Sequence, residues 1–193
     1  MFQIRIHGRG GQGVVSASEL LAVAAFEEGK YSQSFPSFGS ERMGAPVQAF
    51  ARISEATITI REPVMEPDML IIQDPTLFNA INVFDGAKTD GYLLINSSKS
   101  PQQLGIEEMT SQYPTHHVMT IPATEIALKY IKQPKPNTVL LGAFAAMSHM
   151  VSIPALEKAI QGKFPSKIAK PNITATTAGY NLIMQKLDQA REV

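Results

Sequence analysis

A short glycine-rich segment near the start of the chain constrains the fold more than any other feature. Residues 2–7 alternate apolar and polar side chains, which is the pattern of a β-strand. The sequence Gly8-Arg9-Gly10-Gly11-Gln12-Gly13 follows at once and fits the pattern G-x-G-x-x-G. Apolar residues then recur at helical spacing from Val14 to Ala25, and Gly29 is placed to end the helix. The order of strand, tight turn and helix predicts the first unit of an α/β fold.

The rest of the chain continues the alternation of strands and helices. Three apolar runs without alternation are typical of strands buried on both faces of a parallel sheet, and they lie at 69–72, 92–95 and 118–121. Helices are predicted near 75–85, 123–132, 137–151, 154–163 and 175–190. Residues 31–46 read as a structured loop, and residues 47–53 and 57–61 alternate as an antiparallel hairpin would. We therefore predict a single α/β domain over 1–193, Rossmann-like, with a mostly parallel sheet, flanking helices and an inserted antiparallel hairpin.

The composition excludes several classes of function. The formal net charge is +0 at pH 7 and no basic run occurs, which argues against nucleic acid or an anionic membrane as a partner. The chain has no cysteine, so neither a disulfide nor an ordinary iron–sulfur cluster can be held. Neither a signal peptide nor an apolar run of the ~20 residues needed to cross a bilayer is visible, so a cytoplasmic location is expected.

The glycine segment allows more than one interpretation. Glycines let the backbone approach an anion at a helix N-terminus, but they also permit a tight turn with close packing and no ligand. A site for NAD would need an acidic residue about 20 positions further on. No acidic residue lies between Glu28 and Glu41, so NAD is disfavoured. A phosphate group of another ligand, or the surface of a partner subunit, stays open.

Other polar residues are site candidates with a structural alternative. Asp74 ends a predicted parallel strand, where open α/β sheets bind ligands, but Asp74-Pro75 also fits a helix N-cap followed by proline, which we favour. His116 and His117 are neighbours in an extended segment and point to opposite faces, while the other histidines are remote in sequence. No metal site is therefore predicted.

A second unusual segment, residues 34–47, combines glycine, proline and phenylalanine with an acid–base pair, Glu41 and Arg42. By composition alone the pair could simply be solvated and the phenylalanines could anchor the loop. With the glycine segment, however, it resembles the gamma subunit of 2-oxoacid:ferredoxin oxidoreductases, most nearly the pyruvate type. The resemblance continues through residues 67–75, 91–97, 121–127 and 137–143. Met43 departs from the family pattern, in which an arginine is expected.

The resemblance implies a function that the chain would perform only within a complex. Such complexes convert pyruvate and coenzyme A to acetyl-CoA by oxidative decarboxylation and pass the electrons to ferredoxin. Thiamine diphosphate, Mg and [4Fe-4S] clusters would be held by alpha, beta and ferredoxin-like delta subunits, and this chain would bind none of them. It would help to enclose the active site and to bind CoA. A free-standing nucleotide-binding module and a purely structural scaffold are the alternatives.

The candidate ligand surface consists of the glycine segment and part of the second segment. Its residues are Gly8, Gly10, Gly11, Gln12, Gly13, Ser37, Gly39, Ser40, Glu41 and Arg42. No residue is predicted to be catalytic.

Overall fold

The computed structural model describes residues 1–37 and 43–191. Within them the chain forms a six-stranded mixed sheet in the order β2-β3-β1-β4-β5-β6. The strands are β1 (Phe2–Arg9), β2 (Tyr31–Pro36), β3 (Pro46–Ser54), β4 (Met69–Ile72), β5 (Tyr92–Asn96) and β6 (Val118–Ile121). Strands β1, β4, β5 and β6 are parallel neighbours, whereas β3 runs antiparallel to both β1 and β2. The predicted α/β class with a mostly parallel sheet is confirmed.

Helices connect the strands and flank the sheet. They are α1 (Val14–Glu27), α2 (Glu107–Thr110), α3 (Ala123–Tyr130), α4 (Asn137–Ser148), α5 (Ile153–Lys163) and α6 (Ser166–Arg191). The helix predicted near 75–85 is only a 3₁₀ turn, Pro75–Asn79. The last helix begins at Ser166 rather than near 175. Proline usually interrupts a helix, but Pro171 is accommodated inside α6, so the helix is longer than predicted. No helix of the described residues is both long and apolar enough to cross a membrane.

The antiparallel hairpin is formed by other residues than those predicted. Strand β3 pairs with β2, with Phe35 opposite Phe50, so part of the predicted loop 31–46 is a strand. Residues 57–61 form no strand and are mostly exposed. The alternation of apolar and polar residues at 57–61 wrongly predicted a strand, because the apolar residues of this segment form no buried face. The pair β2–β3 is instead held by side chains across the sheet, where the rings of Phe35 and Phe50 lie 5.1 Å apart.

The two faces of the sheet explain why β1 alternates although it is a central strand. Ile4 and Ile6 belong to the main core, together with apolar residues of α1 and α4. On the opposite face Arg5 donates hydrogen bonds to the carbonyl oxygens of Val64 and Met65, at 3.3 and 3.2 Å. Arg52 of β3 donates in the same way to the carbonyl of Glu62. Buried arginines therefore fasten segment 62–65 over the polar half of this face.

Helices α4 and α6 cross at unusually close range. Every residue of α4 from Asn137 to Met147 is buried. A Cβ atom at Gly142 would lie 1.9 Å from the carbonyl oxygen of Thr176, and one at Gly179 would lie 2.3 Å from that of Val139. The absence of side chains at both glycines is therefore what allows the two backbones to touch.

Candidate functional site

The glycine segment lies at the junction of β1 and α1 and is closed upon itself. Gly11 and Gly13 have φ angles of 94° and 76°, in the left-handed region that favours glycine. The backbone N–H of Arg9 donates to Oε1 of Gln12 at 2.8 Å, and the N–H of Gln12 donates to the carbonyl of Arg9 at 3.1 Å. Gln12 thus fixes the turn that leads into the helix.

The other glycines of the segment allow neighbouring elements to approach. A Cβ at Gly8 would lie 2.6 Å from Cγ2 of Val14, and one at Gly13 would lie 2.5 Å from Nδ2 of Asn137 in α4. The N–H of Gly10 donates to the carbonyl of Ala45 at 2.9 Å, which joins the turn to the start of β3. Close packing accounts for these positions, and a role in ligand binding stays a prediction.

The second predicted segment is described only in part. Ser37 follows β2, its N–H donates to the carbonyl of Gln48 at 2.9 Å, and it lines a small cavity on the face opposite α1. Met43 is 86% exposed and lies beside Gly11. Gly39, Ser40, Glu41 and Arg42 lie outside the described residues, so their part in the candidate surface stays a prediction.

Asp74 links the glycine segment to the end of β4. Its Oδ1 accepts the N–H of Thr76 at 3.0 Å, so the predicted N-cap is confirmed. Its Oδ2 accepts Nε2 of Gln12 at 2.8 Å and lies 3.3 Å from Nε of Arg9. Burial would raise the pKa of Asp74, but the hydrogen bonds from Thr76 and Gln12 and the charge of Arg9 outweigh burial and lower it. The carboxylate is therefore ionised at neutral pH.

Replacing Asp74 with asparagine should destabilise the chain by roughly 1 kcal/mol at neutral pH, because the cap survives but the charged acceptor for Gln12 and Arg9 is lost. The folded-state pKa lies below the unfolded value of about 3.9, so the carboxylate stabilises fully above that pH. Its contribution is lost as the pH falls through the folded-state pKa. Urea unfolding at neutral and acid pH measures this difference, with exposed Glu55→Gln as the control. Equal stability of Asp74→Asn and the unchanged chain at pH 7 would contradict the assignment.

A larger cavity of about 550 Å³ opens at the carboxyl ends of β4 and β5, beside Gln12. This is the edge of an open α/β sheet at which ligands bind. Gln73 is 1% exposed, and neither its Oε1 nor its Nε2 has a hydrogen-bond partner among the described residues, although the residue lines the cavity. A buried amide in this state requires a partner, so it marks the cavity as a candidate binding site. The polar residues of its wall include Gln12, Gln73, Asp74, Thr76, Asn79, Asn96, Ser97, Lys99, Thr124 and Glu125.

Asn96, the last residue of β5, links the residue after β4 to the first turn of α3 in this wall. Its Nδ2 donates to the carbonyl of Gln73 at 2.7 Å and to Oγ1 of Thr124 at 2.8 Å. Its Oδ1 accepts the N–H of Thr124 at 3.1 Å. Sequence reasoning missed both Gln73 and Asn96 as site residues. Their one signal was that each is a polar residue at the end of an otherwise apolar strand.

The two histidines before β6 lie in a 3₁₀ turn, Thr115–His117, and not in the extended segment that was expected, and His117 makes structural contacts. The His117 ring stacks on Tyr92 at a centroid distance of 4.2 Å, and its Nδ1 lies 2.9 Å from the carbonyl of Asp90. His116 is exposed. No group of three or more histidine, cysteine or acidic residues that could hold a metal occurs among the described residues.

Fold and site together define an open α/β domain with a glycine turn after its first strand and a polar cavity at the carboxyl edge of the sheet. The sequence model of the family described as "Pyruvate ferredoxin/flavodoxin oxidoreductase" matches residues 3–182. The chain belongs to this family. The resemblance inferred from the sequence is thereby confirmed.

Relatives match the chain over nearly its full length. The pyruvate synthase subunit PorC of Methanocaldococcus jannaschii is 46% identical over 186 residues, which is 96% of this chain and 99% of the relative. The "Pyruvate/ketoisovalerate oxidoreductases common subunit gamma" of Pyrococcus furiosus is 41% identical over 180 residues, 93% of this chain and 96% of the relative. The crystal structure of the pyruvate oxidoreductase subunit PORC of Thermotoga maritima superposes with a TM-score of 0.79 at 39% identity, covering 93% of this chain and 95% of that one.

Proposed function

We propose that the chain is the gamma subunit of a multi-subunit pyruvate:ferredoxin oxidoreductase. The complex would oxidatively decarboxylate pyruvate in a CoA-dependent reaction that yields acetyl-CoA and passes electrons to ferredoxin. The observation that carries this proposal is the 46% identity to a pyruvate synthase subunit across 99% of that subunit. A free-standing nucleotide-binding module is not favoured, because the relatives are subunits of larger enzymes.

The chemistry of the reaction is assigned to partner chains. We propose that alpha, beta and ferredoxin-like delta subunits hold thiamine diphosphate, Mg and the [4Fe-4S] clusters, in a cytoplasmic complex. The absence of cysteine from this chain supports that division, because cluster iron is bound by cysteine thiolates. The choice of oxoacid is also assigned to the partners. In Pyrococcus furiosus, one gamma subunit is common to the pyruvate and ketoisovalerate oxidoreductases, which supports this assignment.

We propose that this chain contributes part of the CoA site. The cavity at the carboxyl edge has about 550 Å³, within the range of pockets that hold a drug-sized portion of a ligand. Lys99 offers a positive charge for a phosphate group, and the amide of Gln73 offers a donor and an acceptor for the amides of the pantetheine arm. The glycine segment borders this cavity through Gln12, which joins it to the ligand surface expected from the sequence.

Reconstitution tests the proposal directly. The isolated chain should show no CoA-dependent oxidation of pyruvate with a viologen acceptor, because it has no cysteine to hold an iron–sulfur cluster. Addition of the alpha, beta and delta subunits should restore turnover, and omission of this chain alone should abolish it. Turnover by the isolated chain would refute the proposal, and tight binding of NAD by the isolated chain in calorimetry would favour the nucleotide-binding alternative.

Replacing Gly11 with leucine should impair assembly or raise the KM for CoA of the reconstituted complex. The residue has a φ of 94°, and a Cβ there would lie 2.8 Å from Cε of Met43. The matched control is Gly29→Leu, which has a φ of 78° and no atom within 4 Å of its Cβ position. Both variants should lose about 1–2 kcal/mol of stability from the left-handed backbone. Equal kinetics and assembly in the two complexes would exclude the glycine segment from the functional surface.

A further inference from the structure

A second, smaller cavity lies on the face of the sheet opposite α1, and two buried side chains with unpaired nitrogen atoms, Arg5 and His7, line it among the described residues. Its volume is about 160 Å³, and its wall includes Arg5, His7, Ser37, Gln48, Asn82 and Asp85. Water occupies about 30 Å³ per molecule in the liquid, so the space suits a ligand of a few heavy atoms and not a nucleotide. We call it the Arg5–His7 cavity.

His7 is buried without a hydrogen-bond partner. The residue is 1% exposed, and neither Nδ1 nor Nε2 meets a partner among the described residues. A buried imidazole in this state loses the hydrogen bonds that it had in water, so the position is unfavourable unless a ligand restores them. Burial, reinforced by the charge of Arg5, lowers the pKa of His7 to about 3. The ring is therefore neutral near pH 7 and offers one donor and one acceptor.

Arg5 supplies a buried positive charge next to this ring. Its terminal nitrogens donate to neutral carbonyl oxygens, those of Val64, Met65, Val83 and Asp85. Its Nε has no partner among the described residues. One N–H of the guanidinium is thus left over, and no carboxylate of the described residues lies within ion-pair distance of the group.

We propose that the Arg5–His7 cavity binds a small carboxylate anion, with Nε–H of Arg5 and a ring N–H of His7 as its donors. Alternate residues of a strand lie on one face, about 6.6 Å apart, so an ion hydrogen-bonded at about 2.8 Å to each side chain can bridge them. Asp85 lines the same cavity and its negative charge acts on Arg5, so a doubly charged ion such as hydrogen phosphate is repelled more strongly than a singly charged ion. A singly charged, planar ion of two or three carbons is the class that fits. This inference does not rest on the proposed function.

The test uses the full chain labelled with ¹⁵N-histidine, because the four histidines give few and separable ring signals. Acetate is titrated against chloride at constant ionic strength and pH. The ring signals of His7 should shift saturably, with a Kd on the order of 1–10 mM for so small a ligand, and those of exposed His116 should not. Phosphate should shift the His7 signals at least tenfold less at equal concentration. A cavity that holds only water gives no saturable shift of His7, and this result would overturn the proposal.

A matched pair of variants provides the second measurement. His7→Phe removes both ring nitrogens but fills a similar volume, whereas His116→Phe makes the same chemical change at an exposed position. Acetate should raise the Tm of the unchanged chain and of His116→Phe, and it should leave the Tm of His7→Phe unchanged. The missing signal in the spectrum of His7→Phe also assigns His7. If His7→Phe keeps the full acetate response, the ion binds elsewhere; if it fails to fold, the titration of the unchanged chain still decides.

Discussion

Replacing Gly142 with valine should cost the chain about 3 kcal/mol of stability or more, because the added side chain meets backbone that cannot yield. A Cβ at this position would lie 1.9 Å from the carbonyl oxygen and 2.8 Å from the carbonyl carbon of Thr176. Both are backbone atoms of α6, so no rotamer change can relieve the overlap. Helix α4 is buried on all sides and cannot move away without opening the core. Urea unfolding followed by circular dichroism measures the loss.

Gly162→Val provides the control for the Gly142 variant. Gly162 also lies in a helix, α5, but no atom lies within 4 Å of its Cβ position. Because valine has a somewhat better helix propensity than glycine, this variant should keep or slightly gain stability, by a few tenths of a kcal/mol. For a domain of this size, the difference between the two variants should appear as about 6–12 °C in Tm. Similar stabilities of the two variants would show that α4 and α6 do not touch at Gly142.

The sequence alone was sufficient to predict those elements whose hydrophobic pattern involves only residues close together in the chain. The alternation of residues 2–7 and the helical spacing after Val14 predicted β1 and α1, because each pattern reports one buried face of one element. The hairpin could not be placed in this way. Strand β2 contains two serines and a glutamine, and its strand conformation depends on pairing with β3, a contact between residues such as Phe35 and Phe50 that lie far apart in sequence. A polar edge strand has little signal of its own.

The candidate site was predictable to a similar degree. The glycine segment and the cap at Asp74 are local motifs and were found, whereas Gln73 and Asn96 become neighbours only because β4 and β5 are adjacent and parallel. The order of the strands decides which polar residues at their ends converge on one cavity. That order depends on which apolar strands pair, and three similar apolar runs do not specify it.

Replacing Asn96 with aspartate should destabilise the chain by about 2–4 kcal/mol at neutral pH, because it buries a charge and loses a donor. The Nδ2 of Asn96 donates to the carbonyl oxygen of Gln73. An ionised carboxylate would place a negatively charged oxygen against that carbonyl oxygen, and the two would repel each other. Asn96 is 8% exposed, so water can compensate only in part. The reconstituted complex should also show a raised KM for CoA, since the carbonyl of Gln73 would no longer be held in the cavity wall.

The pH dependence of this loss distinguishes a buried charge from a simple packing defect. Burial and the facing carbonyl should raise the folded-state pKa of the introduced carboxyl above its unfolded value of about 3.9. The deficit should therefore be small below pH ~4, where the group is protonated in both states, and should grow as the pH rises until the folded-state pKa is passed. Asn79→Asp adds the same charge to an exposed position of the same cavity wall and should change stability by less than about 0.5 kcal/mol. If both variants raise the KM for CoA equally, repulsion of the anionic ligand is the cause. Asn96 holds the wall only if Asn96→Asp raises this KM more than Asn79→Asp does and its loss of stability depends on pH.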